Sequence, residues 1–390
     1  MESAIGFFVR KVLLVFNSLN NSKVVCGTLC IYGVYKVVYQ LFLDPLRHIP
    51  GPWFSRISGY PIRIAILSGN LTDYLHSLHR KYGPIVRVGP NRISDSNTKD
   101  FKKVMSSYKY KKSTNYDSYA NGNPTDVTGE LAFGTSFHAI ENDGYVIIDW
   151  VNAAMKSTII IEAFPILKLI QHVLPGIKSK EEKLRAFCLD SIKMRQDSIE
   201  NNIFDARRVD ILQMYLTSIN TYNQKPLSYD ELMTEMVTML IAGVDTTSIT
   251  LSWLLTFYML YPCVYNKTIE EIRTNFPDTD TVIKYKDARE KLPYTIATVY
   301  ETLRMKGSVG SDLLRESPED GVELSGLFIP YGVDIGMFVA GAHVDPEVWD
   351  NPHSFFPERF MGDNGESLKK EIVAFSSGIR VCPGKKYVNV

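Results

Sequence analysis

The most constraining feature of this sequence is the run FSSGIRVCPG at residues 375–384. It places Cys382 between two glycines, Gly378 and Gly384, and shortly after Arg380. Glycine adopts backbone conformations closed to other residues and lets a flat ligand approach the chain closely. A buried thiolate is costly unless a metal or a cation stabilises it, and an arginine can pair with a ligand carboxylate through two hydrogen bonds. The run therefore indicates a loop whose cysteine thiolate binds a metal cofactor.

An ordinary buried cysteine is the alternative for Cys382, because most lone cysteines are of that kind. The full run makes this alternative the weaker one. The run resembles the haem-thiolate loop of the cytochrome P450 monooxygenases, and further motifs of that family lie upstream of it in the family's order. The resemblance implies that Cys382 is the axial ligand of the iron of haem b (iron protoporphyrin IX). It also implies a set of haem-binding residues, namely Arg315, Phe375, Gly378, Arg380 and Gly384.

A long apolar stretch carries the second motif, AGVDTT at residues 242–247. The stretch begins with a capping-box pattern, in which Ser228 is followed three residues later by Glu231. Roughly 30 residues predict a helix of about 45 Å, enough to cross a whole domain. A core helix with a small-residue packing notch is one interpretation. The resemblance implies another, in which the helix covers the distal face of the haem and Asp245 and Thr246 form a catalytic proton-delivery pair.

A glutamate and two arginines form the third motif. Glu301 and Arg304 share one face of a predicted helix whose first turn contains Pro293. A solvated surface pair is the alternative, because such pairs are common at this spacing. Arg359 follows in the run PERF. The resemblance implies that the three side chains form a buried structural triad supporting the cysteine loop, and two guanidinium groups suit one buried carboxylate.

The remaining pattern predicts a mainly α fold with small β-sheets. Residues 85–94 are expected to form a hairpin with its turn at 89–91. Residues 327–330 and 335–340 are expected to be strands of a small sheet. His343, which follows them, is interpreted as a surface histidine, with contact to a haem propionate as the alternative. The resemblance implies the α+β fold of the cytochrome P450 family.

The N-terminal region predicts a membrane anchor. Residues 24–43 are mostly apolar over about 20 positions, the length that crosses a bilayer core, although Lys36 interrupts them. A buried core helix and a signal peptide are the alternatives, and the second lacks a small-residue cleavage site. The predicted organisation is an N-terminal segment (1–23), a transmembrane anchor (24–43), a proline-rich hinge (44–53) and a catalytic domain (54–390). The resemblance implies a cytosolic domain on the endoplasmic reticulum membrane.

Net charge and cysteine content limit the kinds of partner and compartment that the sequence predicts. Lys+Arg and Asp+Glu each number 43, for a formal net charge of +0, which argues against nucleic acid because no basic excess can pair with phosphates. The cysteines show no paired spacing suited to zinc or to a disulfide framework, as expected in a reducing compartment. The resemblance implies three partners: O2, an apolar small-molecule substrate, and NADPH–cytochrome P450 reductase. It also suggests a role in secondary metabolism, as in fungal members.

Two departures from the family pattern bear on activity. Near residues 123–124 the sequence lacks two helices that the family carries there, and it stops before the family's final strands. The predicted fold is therefore incomplete. The main functional hypothesis is a haem-thiolate monooxygenase that inserts one atom of O2 into an apolar substrate. The alternatives are an oxygen-independent family member, which would not need the pair Asp245 and Thr246, and an inactive or fragmentary haem-binding paralogue.

Overall fold

The structure is a computed structural model of the chain. It describes residues 27–28, 31–35, 38–39, 43–113, 150, 175–201, 210–220 and 224–385. Much of the predicted anchor (24–43) and the departure predicted near 123–124 lie outside these residues. Within them, no single helix is both long and apolar enough to cross a bilayer. Two consecutive helical segments, Thr246–Leu260 and Pro262–Asn275, pass the same test only together, across a bend of 110°.

Helices make up most of the described chain. They are α1 (Tyr60–Leu67), α2 (Leu71–Tyr82), α3 (Thr98–Met105), α4 (Pro175–Glu200), α5 (Ile211–Leu216), α6 (Tyr229–Leu260), α7 (Pro262–Asn275), α8 (Tyr285–Lys291), α9 (Pro293–Lys306), α10 (Val339–Ala342) and α11 (Gly362–Lys369). Short 3-10 helices cover Trp53–Arg56, Pro357–Phe360 and Gly378–Arg380. The prediction of a mainly α chain with small sheets is confirmed.

Two small sheets complete the described fold. Their strands are β1 (Ile85–Gly89), β2 (Arg92–Asp95), β3 (Asp312–Glu316), β4 (Val322–Leu324), β5 (Leu327–Ile329) and β6 (Asp334–Phe338). The first sheet has the order β1-β2-β6-β3, with β2 and β6 parallel and the other neighbours antiparallel. β4 and β5 form a separate hairpin. The four-stranded sheet therefore pairs strands from the N-terminal part of the domain, β1 and β2, with strands from its C-terminal part, β3 and β6.

The strand predictions are confirmed in kind, and the largest difference at a boundary is at the end of β6. The hairpin predicted over 85–94 is the pair β1 and β2. The strand predicted over 335–340 ends instead at Phe338, and the chain continues as the short helix α10. There the backbone closes a helical hydrogen bond from His343 N–H to Val339 O at 3.2 Å.

The long helix α6 begins where its capping box predicts. Ser228 is the N-cap, its Oγ accepts from the Glu231 N–H, and the Glu231 carboxylate accepts from the Ser228 N–H at 2.8 Å. Hydrogen bonds from the Ser228 N–H and then from its hydroxyl to the carboxylate hold the pKa of Glu231 below its usual value. The helix continues for 32 residues to Leu260 and is followed by Pro262 at the start of α7. It packs against α4 and α9, so it lies next to the helix that carries Glu301.

The predicted proline-rich hinge is part of the main hydrophobic core. Leu46 and Ile49 are 2% and 0% exposed and belong to the cluster formed with β2, α3 and β6. Arg87, on β1, forms an ion pair with Asp44, and both side chains are buried. The Arg87 N–H also donates to Pro50 O at 2.7 Å. The hinge is thus attached to the sheet through side chains and backbone.

Candidate functional site

The cysteine loop, defined as residues 375–385, is shaped by its own backbone. The Cys382 N–H donates to Phe375 O at 2.8 Å, which closes the loop. Between these two residues lies one turn of 3-10 helix, Gly378–Arg380. The Cys382 thiol is free of any disulfide and half-buried. A ligand could therefore reach the sulfur without unfolding the loop.

The two glycines of the loop do different things. Gly378 has a φ of +58°, and a Cβ at that position would lie 2.4 Å from Oγ and 2.5 Å from Cα of Ser106. Ser106 caps the C-terminus of α3, so the loop rests directly on the end of that helix. At Gly384 a Cβ would sit 3.6 Å from Cys382 Sγ, an ordinary contact. Glycine leaves that side of the sulfur open.

Arg380 carries a guanidinium with unused hydrogen-bonding capacity. Its Cζ lies 5.7 Å from the centroid of the Tyr108 ring, a cation–π contact. Across the part of the chain that the structure describes, its buried Nε has no hydrogen-bond partner, and neither has the buried Oγ of Ser376. Buried polar atoms are nearly always partnered in native proteins. An anionic group bound beside the loop would satisfy the Arg380 donor.

Glu301, on α9, is surrounded by donors. Arg304 Nε and Nη2 donate to its two carboxylate oxygens at 2.8 Å each, in a bidentate pair. Arg359 Nε donates to Oε1 at 3.1 Å, and the Phe356 N–H adds a further bond at 2.9 Å. The side chains of Glu301, Arg304 and Arg359 are 0%, 0% and 6% exposed. The structure therefore brings the three predicted residues into one buried network.

The two arginines also hold the segment that leads toward the cysteine loop. Arg304 Nη1 donates to His343 O at 2.9 Å and to Pro352 O at 2.7 Å. Arg359 Nη1 donates to Asp350 O at 2.8 Å. These carbonyls lie in irregular chain, where no helix or strand supplies donors. The glutamate orients the arginines, and the arginines fix this backbone.

His343 is buried, and its interpretation as a surface histidine is wrong. The residue is 1% exposed, and its Nε2 accepts from the Val373 N–H at 3.0 Å. Burial, followed by the nearby Arg304 charge, lowers the pKa of His343 to about 3. The ring is therefore neutral near pH 7. Its sequence neighbourhood gave no signal of this contact, because Val373 lies 30 positions away.

Asp245 and Thr246 lie in the middle of α6, on a different element from the loop. Thr246 is half-buried, and its Oγ1 donates to Ala242 O at 2.5 Å within the helix. The side chain of Asp245 falls outside the described residues. Arg315 lies in β3, is 4% exposed, and donates from Nη1 to Leu314 O at 2.6 Å. No described hydrogen bond joins Thr246 to the cysteine loop.

Comparison with known proteins identifies the class to which this fold and site belong. The family model described as Cytochrome P450 matches residues 92–387. The chain therefore belongs to the cytochrome P450 family, and its relatives place it among the monooxygenases of that family. It is 25% identical to the cytochrome P450 monooxygenase helB3 of Aspergillus fumigatus over 90% of this chain and 83% of the relative.

Other relatives are similarly distant and similarly complete in coverage. Cytochrome P450 monooxygenase FUS8 of Gibberella fujikuroi is 22% identical over 97% of this chain and 87% of its own length. Cytochrome P450 monooxygenase acrD of Aspergillus aculeatus is 24% identical over 91% and 84%. The family-model match over residues 92–387 includes both the long helix and the cysteine loop.

The family binds haem through a cysteine thiolate, and the described residues fit that group. The half-buried Cys382 thiol offers the ligand atom, and Gly384 keeps one side of it clear. The unpartnered Arg380 Nε is a donor suited to a carboxylate of the cofactor. Ser106 and Tyr108, which follow α3 and contact Gly378 and Arg380 of the loop, were missed by sequence reasoning. Their contacts join distant parts of the chain, and no local pattern announces them.

Proposed function

We propose that this protein is a haem b monooxygenase that inserts one oxygen atom of O2 into an apolar organic substrate. The observation that carries the proposal is the setting of Cys382. Its half-buried thiol sits on a loop closed by the Phe375 carbonyl and supported on Ser106. A cysteine that only packed in a core would not need this glycine-shaped loop or the arginine beside it.

The proposed roles follow from the geometry of the loop. Cys382 Sγ would bind the haem iron, and the guanidinium groups of Arg380 on the loop and Arg315 on β3 would bind the haem carboxylates. Phe375, Gly378 and Gly384 would contact the cofactor from the loop. The bound haem supplies the iron at which O2 is split, and the thiolate favours that cleavage.

Thr246 and Asp245 are proposed to supply protons to the reaction. A hydroxyl has one donor and two acceptor sites. While Thr246 Oγ1 donates to Ala242 O, it can still accept from a water molecule. The Asp245 carboxyl is the group that exchanges protons with that water. The helix α6 positions both residues on rigid backbone.

The proposed electron donor is NADPH–cytochrome P450 reductase, and the proposed location is the endoplasmic reticulum membrane, with residues 24–43 as the anchor. A set of exposed apolar side chains at the end of the hinge and just after it supports this location. It contains Trp53, Tyr60 and Ile64, which are 69%, 58% and 58% exposed. Aromatic side chains with a polar edge suit the boundary of a bilayer. The relatives are fungal monooxygenases, and the proposed role is in secondary metabolism.

The deciding experiment is a carbon-monoxide difference spectrum of the reduced, haem-supplied protein. We expect the thiolate-specific band in the wild type and its complete loss in Cys382→Ser, because a serine hydroxyl is not a thiolate. Cys263→Ser is the matched control, since Cys263 is a free and exposed cysteine on α7. An unchanged spectrum in Cys382→Ser contradicts the ligand assignment. NADPH-dependent incorporation of labelled O2 with added reductase then tests the monooxygenase reaction.

A further inference from the structure

We propose that His343 is a positioning residue for the Cys382 ligand, and that its imidazole connects the buried Glu301 triad to the start of the cysteine loop. This inference rests on the proposed haem-thiolate function. His343 is not proposed to contact the haem. The imidazole of His343 acts through the backbone of Val373.

One side of His343 is attached to the triad. Its carbonyl oxygen accepts from Arg304 Nη1 at 2.9 Å, and the same guanidinium pairs with Glu301 through Nε and Nη2. The Arg304 charge is fully buried and fixed by that pair. The backbone of His343 is therefore held by a group that has little freedom to move.

The other side of His343 is attached to the loop. Nε2 accepts from the Val373 N–H at 3.0 Å. The Val373 carbonyl in turn accepts from the Ser376 N–H at 2.8 Å, at the first turn of the loop. One residue before that serine, Phe375 O accepts from the Cys382 N–H at 2.8 Å. A short series of hydrogen bonds thus runs from Arg304 through His343 to the residue that bears the sulfur.

A neutral imidazole suits this position for a physical reason. The Val373 N–H is buried and outside any helix or strand, so it needs a side-chain acceptor. Because Nε2 accepts, the proton of the neutral ring is assigned to Nδ1. The ring is held edge-on to Trp349, with centroids 6.5 Å apart. Burial and the Arg304 charge both keep the ring in the accepting, neutral form.

The test compares variants that differ in whether an acceptor reaches Val373. His343→Gln keeps an amide oxygen at about the reach of Nε2, whereas His343→Asn is shorter by one methylene and loses that reach. The matched control is Ser317→Ala. Ser317 is 1% exposed, and its Oγ accepts from the buried Val333 N–H at 2.8 Å. The control thus removes a side-chain acceptor from a buried backbone donor elsewhere in the fold.

The readouts are the ratio of neutral-thiol to thiolate ligation in the ferrous–carbon-monoxide spectrum and the iron–sulfur stretching frequency. Thermal melting of each haem-free variant is recorded in parallel. We expect His343→Asn to raise the ratio about tenfold, because one unsatisfied buried N–H destabilises the ligating loop geometry. His343→Gln should keep the wild-type ratio. Ser317→Ala should lower the melting temperature as His343→Asn does and leave the ratio and frequency unchanged.

Three results would overturn the inference. The first is a His343→Asn ratio no higher than that of Ser317→Ala, which would make His343 an ordinary stabilising residue. The second is a His343→Gln variant that folds yet shifts the ratio as far as His343→Asn. The third is a wild type without a thiolate band. That outcome contradicts the proposed function itself, so the two failures are distinguishable.

Discussion

At the scale of single residues, burial decides what an ion pair contributes. Glu301 with Arg304 and Glu366 with Lys369 have the same i,i+3 spacing on helices. The first pair is 0% exposed on both sides, whereas the side chains of Lys369 and Glu366 are 22% and 73% exposed. Exposed pairs contribute little because water screens them. Removing one partner of a buried pair leaves an uncompensated charge, which is far more costly.

The substitution Glu301→Gln should therefore lower the free energy of unfolding by about 3–5 kcal/mol. Glutamine keeps the shape of the side chain, but it leaves the Arg304 and Arg359 charges buried without a counter-charge. Equilibrium urea denaturation measures the effect. Glu366→Gln, the same change in a pair of the same spacing, should have a small fraction of it. Equal effects of the two substitutions would show that the triad does not depend on the buried charge.

The sequence predicted which residues form the triad. It did not predict which other groups those residues bind. The spacing of Glu301 and Arg304 places them on one helix face, and that information is local. Whether the face is buried depends on the segment around Arg359, more than 50 positions further along. The contact of His343 with Val373 is equally non-local. Residue type and spacing identify such groups, but their partners follow from the tertiary fold.

At the scale of elements, the end of α3 and the cysteine loop fit without spare room. Gly378 has a left-handed φ of +58°, and its missing Cβ makes space for Ser106. Gly326, in the turn between β4 and β5, has a similar φ of +77° with nothing within 4 Å of a built Cβ. Comparing substitutions at Gly378 and Gly326 therefore separates the cost of backbone strain from the cost of a steric clash. Strain alone costs roughly 1–2 kcal/mol for a non-glycine residue.

We expect Gly378→Ala to abolish stoichiometric haem binding, whereas Gly326→Ala should leave it intact. The added methyl group at 378 can be placed only if the loop moves away from α3, since the clash involves the Ser106 Cα as well as its Oγ. The measurement is the haem-to-protein ratio of each purified variant, with denaturation to compare stabilities. Full haem content in Gly378→Ala would show that the loop can shift without losing its ligand geometry.

Element boundaries were predictable where the signal is local. The capping box at Ser228 marks the start of α6, and the structure begins the helix there. The end of β6 was not predictable in this way. Its last residue, Phe338, pairs with Asp312, the first residue of β3, so a partner strand ends the ladder there. The apolar residues that continue to 340 fit a strand or a short buried helix equally well by periodicity.

At the scale of the whole molecule, the hinge determines how the N-terminal region joins the domain. Its prolines indicate a stiff connector, which is a local property. Its attachment is not local, because the partner of Asp44 is Arg87, 43 positions further along. With Leu46 and Ile49 in the core, the hinge behaves as part of the domain. Any flexible joint between the N-terminal region and the domain therefore lies before Asp44.

Removing the ion pair between Asp44 and Arg87 tests whether the hinge is fixed to the domain. Asp44→Ala leaves the Arg87 charge buried, so it should lower the free energy of unfolding by about 3–5 kcal/mol. It should also speed hydrogen exchange at the amides of Leu46 and Ile49, because Asp44 Oδ1 accepts from the Leu46 N–H at 2.8 Å. Hydrogen-exchange mass spectrometry follows the hinge peptide directly. Asp320→Ala is the control, since Asp320 pairs with Lys109 on the exposed surface.

The control should leave both stability and hinge exchange close to those of the wild type, because an exposed pair is screened by water. If Asp44→Ala also leaves exchange unchanged, apolar packing of Leu46 and Ile49 and the Arg87 N–H to Pro50 O bond hold the hinge without the ion pair. If exchange rises as expected, the ion pair fixes the direction in which the chain leaves the domain. The exposed side chains of Trp53 and Tyr60 would then have a fixed orientation relative to the hinge.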